Sequence, residues 1–320
     1  MTIDSKEKPV ARARSDEQVD QILRGAIEMH CHSGPSVMRR RLDHIEAIED
    51  AAAAGMRAVL FKDHYYSVTP IVELLKKRYE HTGVELFSGI ALNNSVGGFN
   101  RYAVDHTIKL GGHIVWMPTW SSANHLHHHE HDKDFDKKFP TTKEKMLAPT
   151  PLTVLGVNNQ ILDEVKFILD LIADANVILS GGHLNIKEIF PLFEEAKKRG
   201  VKKLLVNHPT YLIDASLDDL RSLAGMGAYL EHSICMFIDG SHYKFFDGDN
   251  LKQLITAGTI EQTILGSDLG QVGNPTPVEG FRSVIRLCLD FGYTPAEIRQ
   301  MIAGNPAALL GLRIESEIEE

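Results

Sequence analysis

Cysteine is nearly absent from this sequence: Cys31, Cys235 and Cys288 are odd in number and widely spaced. No Cys-x-x-Cys pair occurs, which excludes a zinc ribbon or a thioredoxin-like redox motif. The thiols read as reduced, which points to a cytoplasmic protein. No uncharged apolar run approaches the ~18 residues of a membrane span. The opening MTIDSKEKPVARARSDEQVDQ is polar and mixed in charge, so no secretory leader is read there. Excess positive charge is lacking too: 34 Lys and Arg stand against 43 Asp and Glu, for a net charge of −9. An acidic chain has no electrostatic footprint for nucleic acid and no basic patch for an anionic membrane. A small molecule is the expected partner, and a homo-oligomer stays open.

What the sequence does have is histidine, 16 among 320 residues. Their placement follows from the pattern of apolar runs. Eight β-branched, apolar stretches are strand candidates: 26–32, 57–64, 85–93, 113–120, 176–183, 203–209, 228–233 and 263–268. They start 25 to 35 residues apart, with one interval of 63. A βα unit needs roughly 25–30 residues, so helices fit between them. Helix punctuation agrees: Asp43 as a cap, Thr69-Pro70 as a start, and capping boxes at Ser15, Ser216 and Thr294. The fold expected is a (β/α)8 TIM barrel over residues 26–312, behind an arm and short helix (1–25) and before a tail (313–320). A doubly wound open sheet is the competitor. It usually carries a glycine-rich phosphate loop after its first strand, where HCHSGPS stands here.

The long interval after strand four places a His-rich, lid-like insertion at 121–155. His125, His127, His128, His129 and His131 read there as a solvated loop, with a lid carrying substrate contacts as the next option. His44, His81, His106, His113 and His242 fall on helices or off the rim. The other six stand at strand ends: His30 and His32 on strand one, His64 on two, His183 on five, His208 on six, His232 on seven. Asp268 ends strand eight. Barrel active sites lie at that rim. Residues i and i+2 of a strand share a face, so His30 and His32 both point inward and can close on one divalent ion.

That set resembles the metal-dependent amidohydrolase superfamily, whose pattern is His-x-His on strand one, His on strands five and six, and Asp on strand eight. SGGHL, VNHP, GSD and the closing GNPAALLGL carry the resemblance over residues 26–312. It implies metal ligation by His30, His32, His183, His208 and Asp268, and hydrolysis of an amide, ester or lactone by a metal-activated water. Asp268 would move the proton, with His208 or Lys62 steadying the carbonyl oxygen. Zinc is the expected ion, with Mn, Fe and Ni also suited to such ligands. The pattern departs from binuclear members, because strand four has no Glu or carboxylated Lys. One ion is therefore favoured, with Lys62 or Glu231 as bridges if there are two. Ile186 stands where deaminase-like relatives carry a Glu. A metal-dependent decarboxylase of an aromatic or unsaturated acid uses the same ligand set and stays open. Substrate contacts are expected from His64, Tyr65, Trp120 and Glu231, with Lys62 facing a substrate carboxylate or an interior ion partner. His64 could equally be a ligand or a structural residue. Trp120 and Tyr65 hint at a cyclic or aromatic substrate.

Overall fold

The computed structural model describes residues 16–131 and 146–313. The expected arm, the Ser15 cap, the charged stretch 132–138 of the insertion and the tail beyond 313 lie outside the described residues.

The described residues form nine strands: β1 (Ile27–Cys31), β2 (Ala58–Phe61), β3 (Glu85–Phe87), β4 (Gly89–Ala91), β5 (Ile114–Trp116), β6 (Ile178–Ser180), β7 (Leu204–Asn207), β8 (Tyr229–Ser233) and β9 (Thr263–Gly266). They correspond to the eight expected stretches, because β3 and β4 are one run broken at Ser88. Every pairing is parallel, in the order β1-β2-β3 and β4-β5-β6-β7-β8-β9. Hydrogen bonds also join the last strand to the first: the Asp268 N–H donates to the His30 carbonyl (3.0 Å) and the His32 N–H to the Leu269 carbonyl (2.9 Å). The architecture is the parallel (β/α)8 fold expected. The strands are short, apolar and buried, as parallel strands covered on both faces must be.

Side chains alternate between two apolar clusters. Ile27, Met29, Ala58, Leu60, Ile114 and Trp116 form the inner one, capped by Ala307, Leu309 and Leu310. Leu310 sits with His113 and Val177 at the starts of the strands, so this end is plugged. The larger cluster packs the ring against the surrounding helices, with Ile168, Ile189, Phe193 and Phe281 fully buried. Helix starts follow the sequence. Asp43, Ser216 and Thr294 each accept from the N3 backbone in a capping box, opening His44–Ala53, Leu217–Gly225 and Pro295–Arg299. The ring is therefore filled below, and its polar residues gather at the other end. Among the described residues no helix is long and apolar enough to cross a membrane.

Candidate metal centre and cleft

β1 carries one extra residue against β2: Glu28 pairs with Val59 and Cys31 with Phe61. The bulge re-aims His30, and Glu28 Oε1 accepts the His30 N–H (2.6 Å). His30 and His32 then stand with ring centroids 5.1 Å apart. Both meet the carboxylate of Asp268, which follows β9: Oδ1 lies 3.3 Å from His30 Nε2 and 3.1 Å from His32 Nε2. These three residues form one cluster of potential metal ligands.

The backbone around them is specialised. His208 and Asp268 both adopt positive φ, 49° and 51°, a region that His and Asp visit more readily than most residues. Gly270 (φ +119°) passes so close to β1 that a Cβ there would lie 1.6 Å from the His32 carbonyl oxygen. Gly182 (φ +60°) precedes His183, and its Cβ would lie 2.3 Å from the Met117 carbonyl oxygen. Only glycine allows the two ligand loops to approach their neighbours this closely.

The ring nitrogens fix which tautomers are present. His32 Nδ1 faces the Lys62 carbonyl oxygen (3.1 Å), so it carries the proton and Nε2 offers a lone pair. His30 Nδ1 meets Glu231 Oε1, and Lys62 Nζ reaches His30 Nε2 at 3.0 Å. A donor on Nε2 and an acceptor on Nδ1 require the same tautomer as in His32. Burial, first of all, holds both imidazoles well below the usual histidine value. At Asp268 burial pushes upward, but His30, His208 and Lys62 outweigh it and the carboxyl lies below its ordinary value. Neutral imidazole lone pairs therefore face an anionic carboxylate. Ligands of a tetrahedral ion at ordinary bond lengths lie about 3.3 Å apart, so this acceptor cluster fits a divalent ion. Glu231 behind His30 supplies the carboxylate–histidine partner common at such sites.

His183 and His208 line the same cleft but stand outside that tight cluster. Their centroids are 5.1 Å apart, and His208 is 5.3 Å from His30. His208 Nδ1 pairs with Ser233 Oγ (2.7 Å) and lies 3.7 Å from Asp268 Oδ2. Burial brings His208 down to about 3. His183 Nδ1 meets His125 Nδ1 (3.1 Å), while its buried Nε2 has no hydrogen-bond partner among the described residues.

His64 differs in tautomer. Its Nδ1 pairs with Thr119 Oγ1 (2.9 Å), an oxygen that already accepts from Asn93 Nδ2 (2.6 Å). With the threonine proton given to His64 Nδ1, the ring's Nε2–H is a donor. The ring stacks on His32 at 4.9 Å and lines the cleft beside Trp120.

Five of the residues and segments expected at the site sit differently. Glu231 is fully buried behind His30 and does not line the cleft. Lys62 is buried over the Trp116 ring (5.3 Å) and likewise does not line the cleft, where a substrate carboxylate would have to sit. Tyr65 packs against His64 and Trp120 without lining it. His232 is buried and also off the cleft. The His125–His131 cluster of the lid-like insertion reads as solvated, with a lid carrying substrate contacts as the next option. In the structure the helix Ala123–His129 turns the buried His125 and the half-buried His129 onto the cleft wall. The i, i+4 spacing of those two histidines was the available signal. Arg40, Tyr211 and Phe245, also on the wall, were not anticipated.

Comparison with known proteins follows from this geometry. A model described as "Family of unknown function (DUF6282)" matches residues 25–231. The chain belongs to that family. The match spans His30, His32, Lys62, His64, His183, His208 and Glu231, while Asp268 lies beyond it. No curated protein matches the chain. Among solved structures, an amidohydrolase from Pseudomonas aeruginosa superposes with a TM-score of 0.61 at 11% identity, covering 93% of this chain and 98% of that one. A 2,6-dihydroxybenzoate decarboxylase from Rhizobium gives 0.54 at 10% identity, covering 90% and 99%. A mutant organophosphorus hydrolase from Deinococcus radiodurans gives 0.55 at 14% identity, covering 92% and 94%. At these identities the likeness is one of fold, and it agrees with the amidohydrolase resemblance of the sequence.

Proposed function

We propose that the protein is a metal-dependent hydrolase that cleaves an amide, ester or lactone in a small, cyclic substrate. The observation that carries this reading is His32 Nε2 facing Asp268 Oδ1 at 3.1 Å while its Nδ1 proton is spent on the Lys62 carbonyl. Two acceptors held face to face in a buried site call for a cation between them. His30, His32 and Asp268 would hold it, with His183 and His208 completing the set. Zinc is the first ion to test. Bound there, a divalent ion supplies a Lewis acid that lowers the pKa of water and polarises a carbonyl.

The chain's own groups do the rest. Asp268, held ionised by its neighbours, takes the proton of the attacking water. It returns that proton to the nitrogen or oxygen that leaves as its single bond to the carbonyl carbon breaks. His64 offers Nε2–H to the substrate carbonyl, a preorganised donor in a dry site. Lys62 compensates the charges of Asp268 and Glu231 from below. Trp120 and Tyr211 wall the cleft, which has a volume of about 560 Å³ counting its open mouth. The buried free thiols Cys31, Cys235 and Cys288 support the cytoplasmic placement.

The test is turnover by zinc-loaded protein on a panel of lactones, cyclic amides and aryl esters in ¹⁸O water. Incorporation of label into the product acid, lost in Asp268→Asn with metal retained, supports the reading. Full activity in Asp268→Asn contradicts the proton-transfer role. A second reading, decarboxylation of an aromatic or unsaturated acid, is favoured by the aromatic walls. Carbon dioxide release without solvent oxygen in the product would select it.

A further inference from the structure

Arg40 lies in the loop after β1, where it is locked by backbone pairing. Arg40 bridges to Gln271, and the Arg41 N–H donates to the Gly270 carbonyl (2.8 Å). Its side chain is 3% exposed and lines the cleft. A guanidinium so deeply placed usually spends its donors on a carboxylate fork. Here it forms a buried ion pair with Asp63, but at 3.6 Å the contact is longer than a hydrogen bond, and that Oδ2 has no hydrogen-bond partner among the described residues. Arg40 Nε is buried and likewise has no hydrogen-bond partner among the described residues. Arg40 Nη2 lies 3.4 Å from His32 Nδ1, an atom whose proton already goes to the Lys62 carbonyl. Arg40 is thus a buried cation on the cleft wall with donors left unspent, an arrangement that costs stability unless a ligand completes it.

The rest of the wall says what kind of ligand. Met38, Trp120, Tyr211, Tyr243 and Phe245 line the cleft with Arg40, and Tyr211 stacks on Phe245 at 4.4 Å and 13°. Flat aromatic faces favour a planar, conjugated body. Among the described residues Arg40 is the one Lys or Arg lining the cleft, so beside a bound metal ion a polyanion such as phosphate meets one further side-chain cation among them. One planar guanidinium fork matches one carboxylate. We infer that Arg40 binds the carboxylate of a small aromatic or conjugated acid, the substrate class of this cleft. The inference rests on the cleft being the substrate site proposed above.

The experiment is calorimetric titration of the zinc-loaded full chain with benzoate, benzamide and inorganic phosphate. It is repeated on chelator-treated protein and on Arg40→Gln and Arg40→Lys. The expected result is benzoate bound at least about tenfold more tightly than benzamide or phosphate. Arg40→Gln should weaken benzoate by about 30-fold or more, Arg40→Lys by less, with benzamide within about twofold. Benzamide or phosphate matching benzoate in the wild type overturns the inference without recourse to any variant. So does benzoate unchanged in a folded Arg40→Gln, or no heat from benzoate at about 10 mM. Zinc content and turnover on the lactone panel are read separately. A chain that selects benzoate through Arg40 but never hydrolyses sinks only the hydrolase reading. A hydrolase indifferent to carboxylates sinks only the Arg40 inference.

Discussion

His30 donates its Nδ1 proton to the carboxylate of Glu231, and both side chains are fully buried. The pair lies beneath the cleft, which is the place for a residue that positions His30 and not for one that contacts substrate. Burial pushes the Glu231 carboxyl up, and the Lys62 cation pulls it back. Burial lowers Lys62, and the charges of Asp268 and Glu231 oppose that. The contact keeps the proton on Nδ1 and leaves Nε2 as the lone-pair atom, which lies 3.0 Å from Lys62 Nζ and 3.3 Å from Asp268 Oδ1. Glu231→Ala is expected to weaken metal binding by about 10–100-fold, and Glu231→Gln, which keeps an acceptor, by less. Competition against a chromophoric chelator measures both. Equal affinity in all three proteins contradicts the positioning role.

Gly270 and Gly200 make a matched pair for testing the site's backbone. Both have positive φ, +119° and +90°, but a Cβ meets the His32 carbonyl at Gly270 and nothing within 4 Å at Gly200. Gly200→Ala should cost only the backbone strain, about 1–2 kcal/mol. Gly270→Ala should cost more than about 3 kcal/mol, or else displace β1 and release the metal. Urea unfolding followed by circular dichroism, with metal content alongside, distinguishes them. Similar losses in both variants would contradict the close approach.

Much of this arrangement was legible in the sequence, for reasons that also set the limits. Parallel strands buried on both faces read as apolar runs, so the strand stretches and the rim residues His30, His32, His64, His183, His208 and Asp268 could be placed. The break at Ser88 leaves no mark in such a run. The i, i+2 argument reached the right pair, His30 and His32, yet β1 holds them with a bulge that alternation does not reveal. Arg40 was invisible because Arg39-Arg40-Arg41 reads as a solvated charge run. Only the bridge to Gln271 turns one of the three onto the cleft. His125 was hidden in the same way, inside a His-rich stretch whose helical spacing was not used. Glu231 pointed inward as expected, but one strand residue's depth separates lining a cleft from lying under it.

His232 gives a pH signature independent of the metal centre. Burial lowers it from 6.5 to about 4, and its Nε2 has no hydrogen-bond partner among the described residues. The folded chain therefore keeps this ring neutral while the unfolded chain protonates it. The sign follows: its contribution is complete above about 6.5 and is lost as pH falls toward 4. Between pH 8 and pH 5 the loss should be about 2 kcal/mol. His232→Leu should remove about that much of the loss from the stability curve measured by urea titration at each pH, leaving the share of the other buried histidines such as His44 and His125. An unchanged slope in the variant would mean that His232 is already charged or solvated in the fold.

The central claim is that His30, His32 and Asp268 hold one divalent ion at the open end of the barrel. Elemental analysis of the purified full chain, after zinc loading and gel filtration, addresses it most directly. One ion per chain is expected, falling to near zero in His32→Ala while circular dichroism stays native. No metal uptake, two tightly held ions per chain, or full occupancy in His32→Ala would contradict it.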